Sequence, residues 1–181
     1  IITIGRPFFK RWAANPTNTH AANLKSLTLP ETLQTINEFA FWNCTNLTYL
    51  APLPTSLTMI KRGAFENTSI ENDLVITGGE CSIAYASFAN TKISSADLTG
   101  VTTIGNYVNG FAGVFENCKE LTSVKLNSAL TFIPDNGFKN CSKLNSVVPL
   151  LPNSVTNVGE NAFYKTMLQG DLVVPSGCMI E

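Results

Sequence analysis

Charge is scarce in this 181-residue chain: 14% of its residues are Asp, Glu, Lys or Arg, against the roughly 25% of an average soluble domain. Twelve Lys plus Arg face thirteen Asp plus Glu, scattered along the chain with a short dense stretch at Lys10-Arg11. The basic face that nucleic-acid binding requires is therefore missing. Long apolar runs are missing too. None approaches the roughly 20 residues of a membrane-crossing helix, and the first residues carry neither a charged region nor a cleavage signature. The chain opens on Ile1, as a mature product or an excised piece does. Cysteine is present in an odd number without any C-x-x-C pair (Cys44, Cys81, Cys118, Cys141, Cys178), which spells neither a zinc knuckle nor a redox dithiol and supports a disulfide framework poorly.

Catalytic groups are equally thin. The single histidine, His20, lies in the polar loop Asn15-Pro16-Thr17-Asn18-Thr19-His20, where solvation is its ordinary state. No Ser or Cys sits in a nucleophile elbow. Thr77-Gly78-Gly79-Glu80 lacks the Lys and the following helix of a phosphate loop, and is a turn. The acid pairs Glu31/Glu38 and Glu66/Glu71 occupy turn and outer positions rather than the two walls of a glycosidase cleft. No catalytic residue, metal ligand or cofactor is assigned.

What the sequence has in abundance is repetition. The pattern aliphatic, two residues, aliphatic, four residues, Phe, two residues, Cys or Thr recurs as Leu33, Ile36, Phe41, Cys44; as Leu57, Ile60, Phe65, Thr68; as Leu130, Ile133, Phe138, Cys141; and as Val155, Val158, Phe163, Thr166. One unit departs at its first position, where Glu80 precedes Ile83, Phe88 and Thr91. Another, with Val101, Ile104, Phe115 and Cys118, carries about six extra residues around Asn106 to Phe111. Before each unit runs an apolar strand with period-two alternation, at residues 24–30, 47–53, 73–76, 97–99, 121–126, 144–150 and 171–175. A single unit of this size offers too little apolar area to fold alone. Stacked units form a continuous core, which predicts a solenoid with a spine of Phe41, Phe65, Phe88, Phe115, Phe138 and Phe163.

Two residues after each spine Phe stands Asn43, Asn67, Asn90, Asn117 or Asn140, with Lys165 the exception. Stacked Asn side chains can satisfy the backbone of a tight turn. The next position alternates Cys44, Cys118 and Cys141 with Thr68, Thr91 and Thr166, as a slot for a small, partly buried side chain does, so its thiols are expected to be inert. Of the four Asn-x-Ser/Thr sequons, at Asn43, Asn46, Asn67 and Asn140, three fall on this ladder, where a glycan would break the turn.

The strand-plus-Pro segment Leu24 to Pro30, the run Leu33-Gln34-Thr35-Ile36, the Ile104-Gly105 and Val158-Gly159 pairs, the Ala40-Phe41, Ala64-Phe65 and Ala162-Phe163 pairs and Phe41-Trp42-Asn43-Cys44 together resemble the BspA-like leucine-rich repeat family of bacterial and protist surface proteins. The resemblance covers about 160 residues. It implies a right-handed leucine-rich-repeat coil with a parallel β-sheet on one face and short turns or 3-10 segments on the other. It further implies an extracellular, cell-surface location and binding of host or matrix proteins or of neighbouring cells. Residues 1–22 are expected to be a partial repeat and inserted loop, 23–166 six repeats of about 23–28 residues, and 167–181 the start of a further repeat. Both ends are expected to be cut mid-repeat from a longer array, with Phe8, Phe9 and Trp12 folded over the first coil.

With chemistry absent, function is expected on a surface. Alternation places Ser26, Thr28, Tyr49, Ala51, Val75, Ser123, Lys125, Ser146 and Val148 on the exposed face of the sheet, and Ser26, Thr28, Tyr49, Ser123, Lys125 and Ser146 are the candidate ligand contacts. Three readings follow: a non-enzymatic, adhesin-like protein-binding module; a glycan-binding module using Tyr49, Trp42 or Tyr164 as stacking platforms; and a spacer within a larger surface protein. None involves nucleic acid or membrane insertion.

Overall fold

The computed structural model describes residues 23–78, 80–105, 112–169 and 173–180, together with the backbone of 2–4. The chain winds as a solenoid whose strands pair only with the coil before or after, always in parallel. Six of the seven expected strands form the column, β2 (Ser26–Leu27), β4 (Tyr49–Leu50), β6 (Leu74–Val75), β8 (Ser95–Leu98), β10 (Ser123–Leu126) and β12 (Ser146–Val148), whereas residues 173–175 of the seventh carry no strand. The column divides into the pair β2-β4 and the four-stranded sheet β12-β10-β8-β6. Where β4 and β6 fail to pair, Asn72 replaces the missing peptide group. Its Oδ1 accepts from the Leu50 N–H and its Nδ2 donates to the Leu50 carbonyl, both at 2.9 Å.

A second column joins it, built from the Leu-x-x-Ile segments: β1 (Ile2–Ile4), β3 (Leu33–Ile36), β5 (Met59–Ile60), β7 (Cys81–Ile83) and β9 (Val101–Ile104) form one sheet, and β11 (Phe132–Ile133), β13 (Asn157–Val158) and β14 (Met179–Ile180) another. In a regular strand, residues three apart face opposite sides. Leu33 and Ile36, like Val101 and Ile104, are nonetheless both buried, because the extra residue is absorbed as a bulge. The proof is β7, one residue shorter. Cys81 pairs with Val101 and Ile83 with Ile104, and the register shifts between them. Cys81 thus fills the inward slot, fully buried, and Glu80 lies outside, exposed.

The six predicted spine phenylalanines stack ring on ring, with centroids 5.1–5.5 Å apart and interplanar angles of 12° or less. Each of the first five donates its N–H to the carbonyl just before the next spine Phe, as from Phe115 to Gly137 at 2.9 Å. The turns that follow have a conformational reason for asparagine. Asn43, Asn67, Asn90, Asn117 and Asn140 all have φ near +60°, the left-handed region that Asn tolerates better than other side-chain-bearing residues. Their amides also bond from coil to coil: Asn67 to Asn43 at 2.8 Å, Asn117 to Asn90 at 3.1 Å, Asn140 to Asn117 at 2.8 Å.

Lys165 holds the same conformation, at φ +58°, without an amide. Lys165→Asn removes most of a left-handed penalty of about 1–2 kcal/mol and adds a neutral hydrogen bond of about 1 kcal/mol. It forfeits the Lys165 ammonium contact 5.2 Å from the Tyr164 ring, an exposed cation–π interaction of about 0.5–1 kcal/mol. The net expectation is a gain of about 1 kcal/mol in denaturant melts, with Lys165→Gln unable to reproduce it.

His20, Lys10-Arg11, the first-coil cover of Phe8, Phe9 and Trp12, the insertion Asn106–Phe111, Gly79 of the 77–80 turn and the strand start Asp171-Leu172 lie outside the described residues.

Candidate functional site: the outer face of the first strand column

Alternation along β10 buries Val124 and Leu126 and turns Ser123 and Lys125 outward. In-register pairing then repeats each outward residue coil by coil. Ser26 lies beside Tyr49; Ser95, Ser123 and Ser146 form one row, and Val75, Asp97, Lys125 and Val148 a second. All six candidate contacts therefore lie on one face of the strand column. Ser26, Thr28, Tyr49 and Lys125 are exposed, and Ser123 and Ser146 half-buried.

The structure brings three of them together. Ser123, Lys125 and Ser146 line a shallow depression of about 490 Å³ with Thr99, Asn127 and Val148. Val148 is 60% exposed there. Ser26, Thr28 and Tyr49 belong to the other end of the column, beyond the Asn72 interruption, and take no part in the depression.

The centre of the face holds residues the sequence reading omitted. The Asp73 carboxylate accepts from Ser94 Oγ at 2.8 Å and Ser95 Oγ at 2.7 Å, and these bonds hold it below the ordinary carboxylate range. Partial burial alone would raise Asp97, but hydrogen bonds from the Thr99 hydroxyl and N–H and from the Lys125 ammonium outweigh it, so this carboxyl too sits low. Lys125 Nζ lies 3.3 Å from Asp97 Oδ2. The same alternation that exposed Val75 and Lys125 would have put Asp97 between them.

The aromatic platforms do not converge. Tyr49 is 49% exposed on the strand face and Tyr164 50% exposed on a turn. Trp42 is half-buried, edge-on to Phe39 at 6.2 Å. The acids lie on turns and outer positions, as expected: Glu31, Glu38 and Glu66 are in turns and Glu71 is exposed outside one, and Glu66 is half-buried, its carboxyl raised by burial against the lowering effects of Arg62 and a Trp42 hydrogen bond. Among the described residues, no group of three or more His, Cys, Asp or Glu could hold a metal ion, and no helix is long and apolar enough to cross a membrane.

The geometry of stacked coils is that of known proteins. The BspA type leucine rich repeat region matches residues 19–112 and 112–179, in six copies. A leucine-rich repeat protein from Bacteroides ovatus superposes with a TM-score of 0.70 at 23% identity, over 99% of this chain and 49% of that one. The leucine-rich repeat protein of T. pallidum gives 0.64 at 24% identity, over 80% and 66%, and one from Eubacterium ventriosum 0.53 at 20%, over 82% and 44%. At such identities the likeness carries the fold alone, and the chain spans about half the length of the Bacteroides structure. No curated protein matches. With its repeats matched along most of its length and its coils stacked as theirs are, the chain belongs to the BspA-type leucine-rich repeat family.

Proposed function

We propose that the chain is a non-catalytic protein-interaction module, adhesin-like and displayed at the cell surface, that contacts host, matrix or neighbouring-cell proteins through the outer face of its first strand column. The observation that carries this reading is the depression around Ser123, Lys125, Ser146 and Val148, an apolar side chain and a cation held side by side on paired strands. A repeat array fixes such groups before contact, so an extended partner meets a surface whose backbone ordering is already complete. The low carboxyls of Asp73 and Asp97 make the centre of the face anionic, and Lys125 answers only one of them.

The test is a screen of the purified chain against arrays of matrix proteins and of surface glycans, with Lys125→Ala/Val148→Asp, Tyr49→Ala and Tyr164→Ala variants alongside. Protein ligands are expected, weakened at least tenfold by the Lys125/Val148 pair. Retention on glycans alone, abolished by Tyr49→Ala or Tyr164→Ala and indifferent to Lys125, would replace this reading with the glycan-binding one. Silence of every variant on every array would leave a spacer.

A further inference from the structure

We propose that Cys118 and Cys141 are a redox pair that closes a disulfide between consecutive coils when the chain meets a small disulfide oxidant. The argument begins with register. The slot three residues after the spine Phe reads Cys44, Thr68, Thr91, Cys118, Cys141, Thr166, so cysteine follows cysteine at one step only. Cys81 belongs to the second strand column, and Cys178 is half-buried in the final turn.

Geometry supports the same pair. The turns that carry them are neighbours: Asn117 N–H donates to the Lys139 carbonyl at 2.9 Å and the preceding Phe115 and Phe138 rings stack 5.5 Å apart, a coil-to-coil step of the size a disulfide spans between Cα atoms, roughly 4.4–6.8 Å. Both thiols point back along the axis. Cys118 Sγ donates to the Phe88 carbonyl and Cys141 Sγ to the Phe115 carbonyl, each at 3.1 Å, which carries the Cys141 sulfur toward the coil that holds Cys118. Each thiol hydrogen is committed to a carbonyl of the preceding coil, so closure requires the Cys118 side chain, which also lies 3.2 Å from Thr91 Oγ1, to swing toward Cys141. In the structure all five cysteines are free.

The exchange balances with glutathione disulfide as oxidant. One cysteine thiolate attacks a glutathione sulfur, the glutathione S–S bond breaks, and one glutathione leaves as thiolate. The second cysteine then displaces the other glutathione from the mixed disulfide. Two cysteines are oxidised, one glutathione disulfide is reduced to two thiols, and the two thiol protons end on them. Both cysteines are fully buried, so exchange takes place while the 117–119 turn is open, during folding or in a local excursion. A surface depression of about 700 Å³ lined by Asn90, Thr91, Lys92, Asn117, Lys119 and Glu120 lies over that turn. Closed, the fold protects the pair. The Cys118 side chain beside it, together with burial, holds the Cys141 thiol far above the ordinary range, and a protonated thiol is a poor nucleophile.

The whole chain, reduced or refolded through glutathione disulfide, is alkylated, digested without reduction and mapped. Oxidation is expected to take the thiols titratable in denaturant from five to three, to give one cross-linked peptide joining Cys118 to Cys141, and to raise the melting temperature by roughly 5 °C. Cys118→Thr and Cys141→Thr place in the slot the residue it holds at 68, 91 and 166, and each should keep four thiols in either buffer. Five free thiols after oxidative refolding, a glutathione adduct that never resolves, or a cross-link through Cys44, Cys81 or Cys178 would each overturn the proposal.

Discussion

Phe115→Ala is expected to lower the unfolding free energy by about 3–5 kcal/mol. The ring is fully buried and stacks at 5.5 Å on Phe88 below and Phe138 above, within 7° of parallel on both sides. Removing it opens a void that the neighbouring coils cannot close. Their spacing is fixed by backbone hydrogen bonds such as Phe88 N–H to Val114 O at 3.0 Å and Phe115 N–H to Gly137 O at 2.9 Å. Part of the loss is ring–ring attraction, so a double-mutant cycle between Phe115 and Phe138 should give a coupling of about 0.5–1.5 kcal/mol. Phe163→Ala is the comparison. That ring stacks on Phe138 but is only half-buried, so its loss should be well under that of Phe115. Equal losses in denaturant melts would mean that the spine adds nothing beyond the volume of each ring.

The spine and the asparagine ladder were both legible because each coil writes the same residue in the same place, and parallel stacking turns recurrence into contact. The sequence offered two reasons for small polar residues in the turns, a backbone partner and a small slot. A third and stronger reason, a left-handed backbone at every ladder Asn, leaves no trace in composition beyond the choice of Asn itself. The second strand column was harder to see. Leu33 and Ile36 are three apart, a spacing that belongs to no regular strand, and a bulge is a property of pairing rather than of either sequence alone. For the same reason Glu80 looked like a break in the repeat when the core simply took its neighbour, Cys81. On the face, Ser123, Lys125 and Ser146 fell where alternation put them. Whether they met Ser26 and Tyr49 depended on Asn72, whose side chain ends one sheet by mimicking a peptide, a role no period announces.

Gly113→Ala should be at least as damaging as Phe115→Ala, although it adds a single methyl group and removes no contact. Gly113 is two residues before Phe115, and a Cβ built on it would overlap the carbonyl of Asn136 in the next coil and lie 2.8 Å from the Gly137 nitrogen. Both are backbone atoms, so no rotamer change relieves the overlap; one coil must move away from the other. That motion pulls on the Phe115 N–H to Gly137 O bond and on the Phe115–Phe138 stack beside it, so strain spreads directly into the core. A loss above about 3 kcal/mol is expected, in the range reserved for overpacking against immovable groups. Gly177→Ala separates this cause from ordinary glycine conformational freedom. Its φ is +80° and nothing lies within 4 Å of the added carbon, so it carries only a left-handed penalty of about 1–2 kcal/mol. If the two substitutions cost the same, contact between coils at Gly113 is not what limits their spacing. If Gly113→Ala alone collapses the melt, the distance between neighbouring backbones sets the stability of the array at this step.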